Sequence, residues 1–394
     1  MEETASSLLL IVACSVLAPL LAGLVPRRLL PEVVVLLVLG VLIGPHVLGL
    51  ASTVPPIELL RQLGLGLLFL LAGYEIELDE LRGTGGRRAM WTWLVCLGLA
   101  LGMVALLGVI GTVHAEAAVA IALTSTALGT LLPILKDSGR LETPLGGTVL
   151  HHGAFGELGP VAAMALLLGS RDPAISLVVL IGFAVLALLV SVFAQRVQRV
   201  SGRVVDLVRA GAETTGQTLV RLSMLLLVLL GSLALAFELD VVLGAFAAGI
   251  VLRQLLPSGH ERLELRLNGI AFGFFIPVFF VTSGMAIDPA AVASKPGVLL
   301  VFVAMILVLR GGLVYLAEGL GRPATYRPRE RVGIALYAAT GLPIIVAVTS
   351  TAVSAGSMSP ANASVLVAGG ALTVLLCPMA ATLLLGEPAA VDES

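Results

Sequence analysis

A single glutamate within a long apolar stretch is the residue of this sequence best placed to do chemistry. Glu157 lies near the centre of residues 150–170, LHHGAFGELGPVAAMALLLGS. A charged side chain at the centre of a membrane helix costs roughly 2.5–3.5 kcal/mol or more, and such residues usually have a function. A carboxylate that is neutralised in turn by a proton and by a cation could be kept at that depth. Glu157 is therefore the first candidate for an ion-binding residue.

Arg310 is the charge expected to balance Glu157. The chain has 23 Lys and Arg residues, and Arg310 is the one that falls in the middle of an apolar segment rather than in a loop. Both residues lie about thirteen residues into their segments, which is ~20 Å along a helix. We expect the two to neutralise each other near mid-membrane. A purely architectural ion pair is the alternative interpretation.

The residues around Glu157 predict an oxygen-rich site. Pro160 removes the hydrogen bond that the carbonyl of Gly156 would otherwise accept, and Gly156 and Gly159 leave room for a neighbouring backbone or an ion. A free carbonyl beside a carboxylate suits a proton or a hard monovalent cation. A packing kink is the alternative explanation for Pro160.

The composition excludes a soluble globular protein. Of the 394 residues, 58% are hydrophobic and 12% are charged, about half the charged fraction usual in soluble domains. Apolar segments long enough to cross a bilayer recur along the chain. They predict an all-α polytopic membrane protein with about thirteen spans, at 5–25, 31–50, 58–78, 89–112, 116–136, 144–169, 174–194, 218–237, 240–256, 269–287, 297–319, 329–355 and 361–385.

The distribution of basic residues predicts the orientation. Loops after odd-numbered spans carry nearly all of them, whereas the opposite loops carry only Arg61, Arg171 and Lys295. The positive-inside rule places the N-terminus outside and the C-terminus inside a cytoplasmic (inner) membrane. We expect an exchanger domain at 1–385 and a short cytoplasmic tail at 386–394. The domain would consist of six spans at 5–169, a linking span at 174–194, a cytoplasmic linker at 195–217 and six spans at 218–385. The linker could lie along the membrane as an interfacial helix.

Two spans contain polar residues and helix breakers at mid-depth. Span five has Thr124, Ser125 and Thr126 at its centre, followed by Gly129 and Pro133, and span twelve has Thr340, Gly341 and Pro343. Each is the second-to-last span of its group of six. Interrupted segments at matching positions in two halves are typical of a transporter site. We therefore expect Thr124, Ser125, Thr126 and Thr340 to line the ion site together with Gly156 and Glu157.

Other chemistries find little support in the sequence. Cys14, Cys96 and Cys377 lack metal-ligand spacing, and the chain has neither H-E-x-x-H nor G-x-S-x-G. We expect no enzymatic activity, no cofactor, no metal beyond the transported cation and no nucleic-acid partner. His151 and His152 could relay protons or sense pH, although a position at the inner membrane edge without such a role is preferred. Glu75, Glu77, Asp79 and Glu80 are interpreted as a solvated helix end.

Five segments together resemble the second family of monovalent cation:proton antiporters, which includes bacterial sodium/proton antiporters and potassium efflux systems. The segments are VVVLLVLGVLIGPHVLGL (33–50), LGLGLLFLLAGYEIELDELR (63–82), ALTSTALGTLLPILKDSGRLETPLG (122–146), LGAFAAGIVLRQ (243–254) and FFIPVFFVTSGMAIDP (274–289). They follow the family's order along nearly the whole chain. We expect no C-terminal regulatory domain like that of the gated potassium efflux branch.

The resemblance implies a thirteen-helix inverted repeat with two crossed discontinuous helices, spans five and twelve. It further implies a homodimer in which a six-helix core moves against a fixed dimerisation domain. Glu157 falls at the position of the family's ion-binding acid. Gly156 replaces the usual preceding Asp, Asn or Gln, and Arg310 replaces a basic residue that is commonly Lys.

We therefore expect a secondary antiporter that exchanges a monovalent cation, sodium or potassium, for protons by alternating access. Gly156 cannot ionise and an arginine keeps its proton, so a single titrating group, Glu157, predicts electroneutral exchange. The alternative is a proton-coupled exporter of a small molecule or an ion–ionophore complex, because Gly156 in place of a ligand could widen the site.

Overall fold

The structure is a computed structural model that describes residues 2–25, 30–76, 81, 83–109, 115–169, 172–200, 217–255, 261–320 and 326–386. Three of the expectations fall wholly or largely outside these residues. They concern the acids Glu77, Asp79 and Glu80, most of the linker at 195–217, and the tail beyond Gly386.

The described chain is helical, and each of the thirteen predicted spans contains at least one helix. Spans five, ten, eleven and twelve each contain two helices, and one short helix, Pro289–Ser294, lies between spans ten and eleven. The helices are α1 (Glu2–Gly23), α2 (Glu32–Ile43), α3 (Pro55–Glu75), α4 (Thr84–Val109), α5 (Glu116–Leu123), α6 (Leu128–Asp137), α7 (Pro144–Leu167), α8 (Pro173–Val200), α9 (Thr218–Ala236), α10 (Val241–Leu255), α11 (Glu261–Ile270), α12 (Ile276–Met285), α13 (Pro289–Ser294), α14 (Pro296–Met305), α15 (Gly312–Gly319), α16 (Pro328–Ala338), α17 (Leu342–Ser354) and α18 (Pro360–Leu385). Two π-helical turns, Ala271–Phe275 and Ile306–Gly311, join α11 to α12 and α14 to α15. Among the described residues, nine helical segments are long and apolar enough to cross a membrane, and three shorter ones are apolar.

Local sequence signals fix where the helices of the site begin. Thr143 accepts a hydrogen bond from the backbone N–H of Gly146 (3.1 Å) and precedes Pro144, the first residue of α7. Ser359 caps α18 in the same way, with Pro360 following it. Proline suits a first turn because the N–H that it lacks would have no partner there. Pro160, by contrast, lies inside α7, which nevertheless remains helical to Leu167.

The helices form two groups. The scaffold group contains α1–α3, α8–α10 and α12, and the crossing group contains α4–α7 and α14–α18. In the scaffold, α3 and α10 approach so closely that a β-carbon at Gly73 or Gly249 would collide with the backbone of the other helix. Small residues at such contacts allow membrane helices to pack backbone to backbone. The crossing group takes three spans from each half of the chain, and spans five and twelve are among them.

Candidate functional site

The breaks in spans five and twelve meet at the centre of the crossing group. One helix stops at Leu123 and resumes at Leu128, and the other stops at Ala338 and resumes at Leu342. The backbone N–H of Ala127 donates to the carbonyl of Thr340 (2.6 Å) across the crossing. The prediction of two crossed discontinuous helices is confirmed. Gly129 and Pro133 are inside α6 rather than at its break.

The predicted hydroxyl residues lie at this crossing and are bonded to the backbone. Thr124, Ser125, Thr126 and Thr340 are at most 1% exposed. Their hydroxyls donate to carbonyls at the ends of α5 and α16, namely Ile121, Ala122, Ala338 and Tyr337. A helix C-terminus leaves carbonyls without partners within the helix, and these four side chains satisfy some of them.

Glu157 lies at the amide end of a half-helix. Its carboxyl group is 3% exposed and accepts hydrogen bonds from the backbone N–H groups of Leu128 and Gly129, the first residues of α6. Unpaired amides give a helix N-terminus a partial positive charge, which stabilises a carboxylate. Within the described chain, the second oxygen Oε2 is buried and has no hydrogen-bond partner.

Arg310 is held by Thr126 and by a carbonyl of α7, and it is not paired with Glu157. The guanidinium is fully buried; Nε donates to Thr126 Oγ1 (3.0 Å) and Nη2 to the carbonyl of His152 (2.6 Å). Thr126 in turn donates to the carbonyl of Ala338 (2.5 Å). In the described chain, the expected direct ion pair is therefore absent. Glu157 is instead associated with the amide end of α6, and Arg310 reaches the carbonyl end of α16 only through Thr126. A carboxylate at a helix N-terminus is the favourable arrangement for a helix dipole.

Gly156 lies in contact with the residues that hold Arg310. A β-carbon at this position would lie 2.5 Å from Thr126 Oγ1 and 2.6 Å from Arg310 Nη2. Its carbonyl, which Pro160 frees from the helix, accepts the backbone N–H of Thr126 (2.8 Å). The predicted free carbonyl therefore joins α7 to the break of span five, and the glycine leaves no additional empty space beside Arg310.

A second carboxylate, Glu75, corrects the expectation of a solvated end to span three. Its Oε2 atom is buried without a hydrogen-bond partner among the described residues, and the carboxylate is close enough to Glu157 for the two to repel each other electrostatically. Glu75 lines a cavity of about 590 Å³ together with Leu128, Gly129 and Glu264. This cavity leads to the same turn of α6 that holds Glu157. The sequence suggested that Glu75 is exposed to solvent, because it is the first of four acidic residues at the end of span three. For that reason its position beside Glu157 was not predicted.

His152 belongs to a hydrogen-bonded network with Glu318 and Arg88 that the sequence did not predict. Its Nε2 atom is 3.0 Å from Glu318 Oε1, and Glu318 Oε2 is 3.0 Å from Arg88 Nη1. His152 and Glu318 are 1% and 4% exposed. One feature of the sequence could have indicated this network. Arg310 and Glu318 lie on the same apolar segment, so Glu318 is a second charged residue within one predicted helix. His151 lies apart from this network and lines the 590 Å³ cavity.

Comparisons with known proteins agree with this architecture. A family described as "Sodium/hydrogen exchanger, transmembrane" matches residues 12–386. The probable Na⁺/H⁺ antiporter GerT of Bacillus cereus is 28% identical over 70% of this chain and 72% of its own length. The Na⁺/H⁺-K⁺ antiporter GerN of the same organism is 27% identical over 70% of each chain.

Solved structures show the same fold. The sodium proton antiporter MjNhaP1 of Methanocaldococcus jannaschii superposes with a TM-score of 0.64, covering 98% of this chain and 99% of its own, at 19% identity. At that identity the likeness concerns the fold alone, whereas the family match extends over nearly the whole sequence. This chain belongs to the transmembrane sodium/hydrogen exchanger family.

Proposed function

We propose that the protein exchanges a monovalent cation, sodium or potassium, for a proton by alternating access, and that Glu157 binds the two in turn. The observation that carries this proposal is the state of the carboxyl group. One side of it is held by the amides of Leu128 and Gly129, while Oε2 is buried without a partner in the described chain. A proton or a cation on Oε2 would satisfy that atom and neutralise the buried charge.

The surroundings of Glu157 support reversible access. Leu128 and Gly129 form part of the wall of the 590 Å³ cavity, so an ion from that side can approach the turn that holds the carboxylate. GerT and GerN are named as antiporters of sodium, and GerN of potassium as well. Thr124, Ser125, Thr126 and Thr340 would hold the crossing in shape, and Arg310 would offset its carbonyl ends.

We also propose the ratio of protons to cations, the orientation in the membrane and the oligomeric state. Arg310 keeps its proton and Gly156 has no titrating group, so one proton would exchange for one cation without net charge movement. The basic loops support an inner-membrane protein with its N-terminus outside and its C-terminus inside. The protein would act as a homodimer, as the family resemblance implies.

A small-molecule cargo is less well supported. That alternative depends on extra space at Gly156, but Thr126 and Arg310 occupy the volume beside that glycine. We therefore retain the cation as the substrate.

The test is proton flux in proteoliposomes driven by lithium, sodium, potassium or rubidium chloride, each compared with choline chloride at equal ionic strength. We expect proton flux with sodium, potassium or both, and none with choline. Equal flux with every salt, or none with any, would reject cation exchange.

A further inference from the structure

A second pocket lies on the opposite side of the crossing from the 590 Å³ cavity. Here the N-terminal face is the side of the bundle on which α1 begins, and the C-terminal face is the other side. The pocket has a volume of about 280 Å³. Its walls come from the start of α3, the end of α12, the outer part of α17 and the start of α18, all of which the helix order places toward the N-terminal face.

Hydroxyl groups dominate the polar lining of this pocket. We call it the hydroxyl pocket, and its hydroxyl residues include Thr282, Ser283, Thr349, Ser350 and Ser364. Ser283 is 7% exposed, and its Oγ has no hydrogen-bond partner among the described residues. An unsatisfied buried hydroxyl is costly, so Ser283 Oγ points to a ligand or solvent in the pocket.

The neighbouring threonines leave oxygen lone pairs available. Thr349 donates to the carbonyl of Ile345 (2.7 Å) and Thr282 to that of Val278 (2.7 Å), each within its own helix. A hydroxyl that donates its one hydrogen still has acceptor capacity. Neutral oxygens of this kind suit hard cations such as the alkali metals.

The charges of the pocket favour weak rather than tight binding. Glu58 on its wall is paired with Arg61 at 2.6 Å, so the two largely cancel. A pocket of about 280 Å³ has room for several waters. A cation there would keep part of its hydration shell, which lowers the cost of entry.

The pocket also lies along the boundary between the two helix groups. Ser283 belongs to the scaffold group and Thr349 to the crossing group, and the latter lies ~10 Å beyond the start of α17 at the crossing. The 590 Å³ cavity is bounded by the same two groups, through α3 and α6. The two spaces therefore lie along the same boundary, on opposite sides of the crossing.

We propose that the hydroxyl pocket is a second, low-affinity site for the transported monovalent cation, with Ser283 and Thr349 among its oxygen ligands. This inference rests on the proposed exchange function and adds a site on the N-terminal face. The cation would pause there between bulk solvent and Glu157. Because its walls belong to both helix groups, the site would exist only in arrangements that bring those walls together.

The test measures the half-saturating sodium and potassium concentrations separately at each face, in membrane vesicles of both orientations. Ser283→Ala and Thr349→Val each remove one oxygen ligand. We expect the half-saturating concentration at the N-terminal face to rise about three- to tenfold, with no change at the C-terminal face. Thr373→Val is the matched control, because Thr373 is fully buried, donates to Gly370 and does not line the pocket.

The possible outcomes separate this inference from the proposed function. Unchanged values at both faces, or an equal rise at both, would overturn the second site while leaving exchange at Glu157 intact. Absence of cation-driven flux in the unmodified protein would instead reject the exchange function. If the two variants do not fold, Ser283→Cys gives an independent reading. A small cationic thiol reagent should modify it from the N-terminal face, more slowly in sodium or potassium than in choline, and a cation-independent rate would contradict the proposal.

Discussion

Gly156 and Arg310 are sterically coupled. A β-carbon at residue 156 would lie 2.6 Å from Nη2 of Arg310, so the guanidinium occupies volume that any larger residue at 156 would need. Two departures from the family pattern, the glycine beside the acid and the arginine in place of a lysine, therefore meet at one contact. The arginine reaches Thr126 and the carbonyl of His152, and the glycine leaves room for it.

Gly156→Ala is therefore expected to destabilise the protein by about 1–3 kcal/mol, the usual cost of overpacking a well-packed core. Thermal unfolding in detergent measures the effect. Adding Arg310→Lys should restore part of the loss, because the smaller ammonium group can withdraw from residue 156. Gly147→Ala is the control: it lies on the same helix, and a β-carbon there meets nothing within 4 Å. Equal stability of the two alanine variants would contradict the coupling.

Thr126 connects Arg310 to the crossing, and Thr126→Val tests that connection. The substitution leaves Arg310 Nε and the carbonyl of Ala338 each one hydrogen bond short. Leaving buried groups unsatisfied costs about 1–3 kcal/mol each, so the unfolding temperature and the exchange rate should both fall. Thr130→Val removes a comparable hydroxyl that donates only to the carbonyl of Ala127. A Thr130→Val variant as impaired as Thr126→Val would mean that the Arg310 connection has no special weight.

The two adjacent histidines are expected to differ. His152→Leu removes one partner of buried Glu318 and should cost about 1–3 kcal/mol, while Arg88 continues to neutralise the carboxylate. His151 lines the cavity outside this network, so His151→Leu should cost clearly less. Unfolding in detergent provides the comparison, and a larger loss for His151→Leu would show that the Glu318 contact contributes little.

Electroneutral exchange is a further expectation, because the proposal gives Glu157 alone a titrating role. An imposed membrane potential should drive no cation or proton flux when the concentrations are at equilibrium. If a potential does drive flux, a second charge moves with the cation. Glu75 would then be the first candidate, and Glu75→Gln should abolish the potential-driven component.

The sequence predicted the crossing better than it predicted the contacts there. Polar residues and prolines located both breaks because they interrupt an apolar helix in recognisable ways. It did not predict that Arg310 would be held by Thr126 and the carbonyl of His152 rather than by Glu157, since mutual pairing is the simpler expectation for two isolated charges. Glu318 and Glu75 were missed for a physical reason: both lie near the ends of apolar segments, where a sequence alone does not distinguish solvation from burial between helices.

The central claim is that one carboxylate, Glu157, binds either a proton or a cation. Proton release on cation binding tests it most directly, using purified protein in weakly buffered detergent with a pH indicator. Adding sodium or potassium chloride, but not choline chloride, should release up to one proton per chain from the unmodified protein. Glu157→Gln should release none while unfolding at a similar temperature. Undiminished, cation-dependent proton release from a folded Glu157→Gln variant would contradict the account.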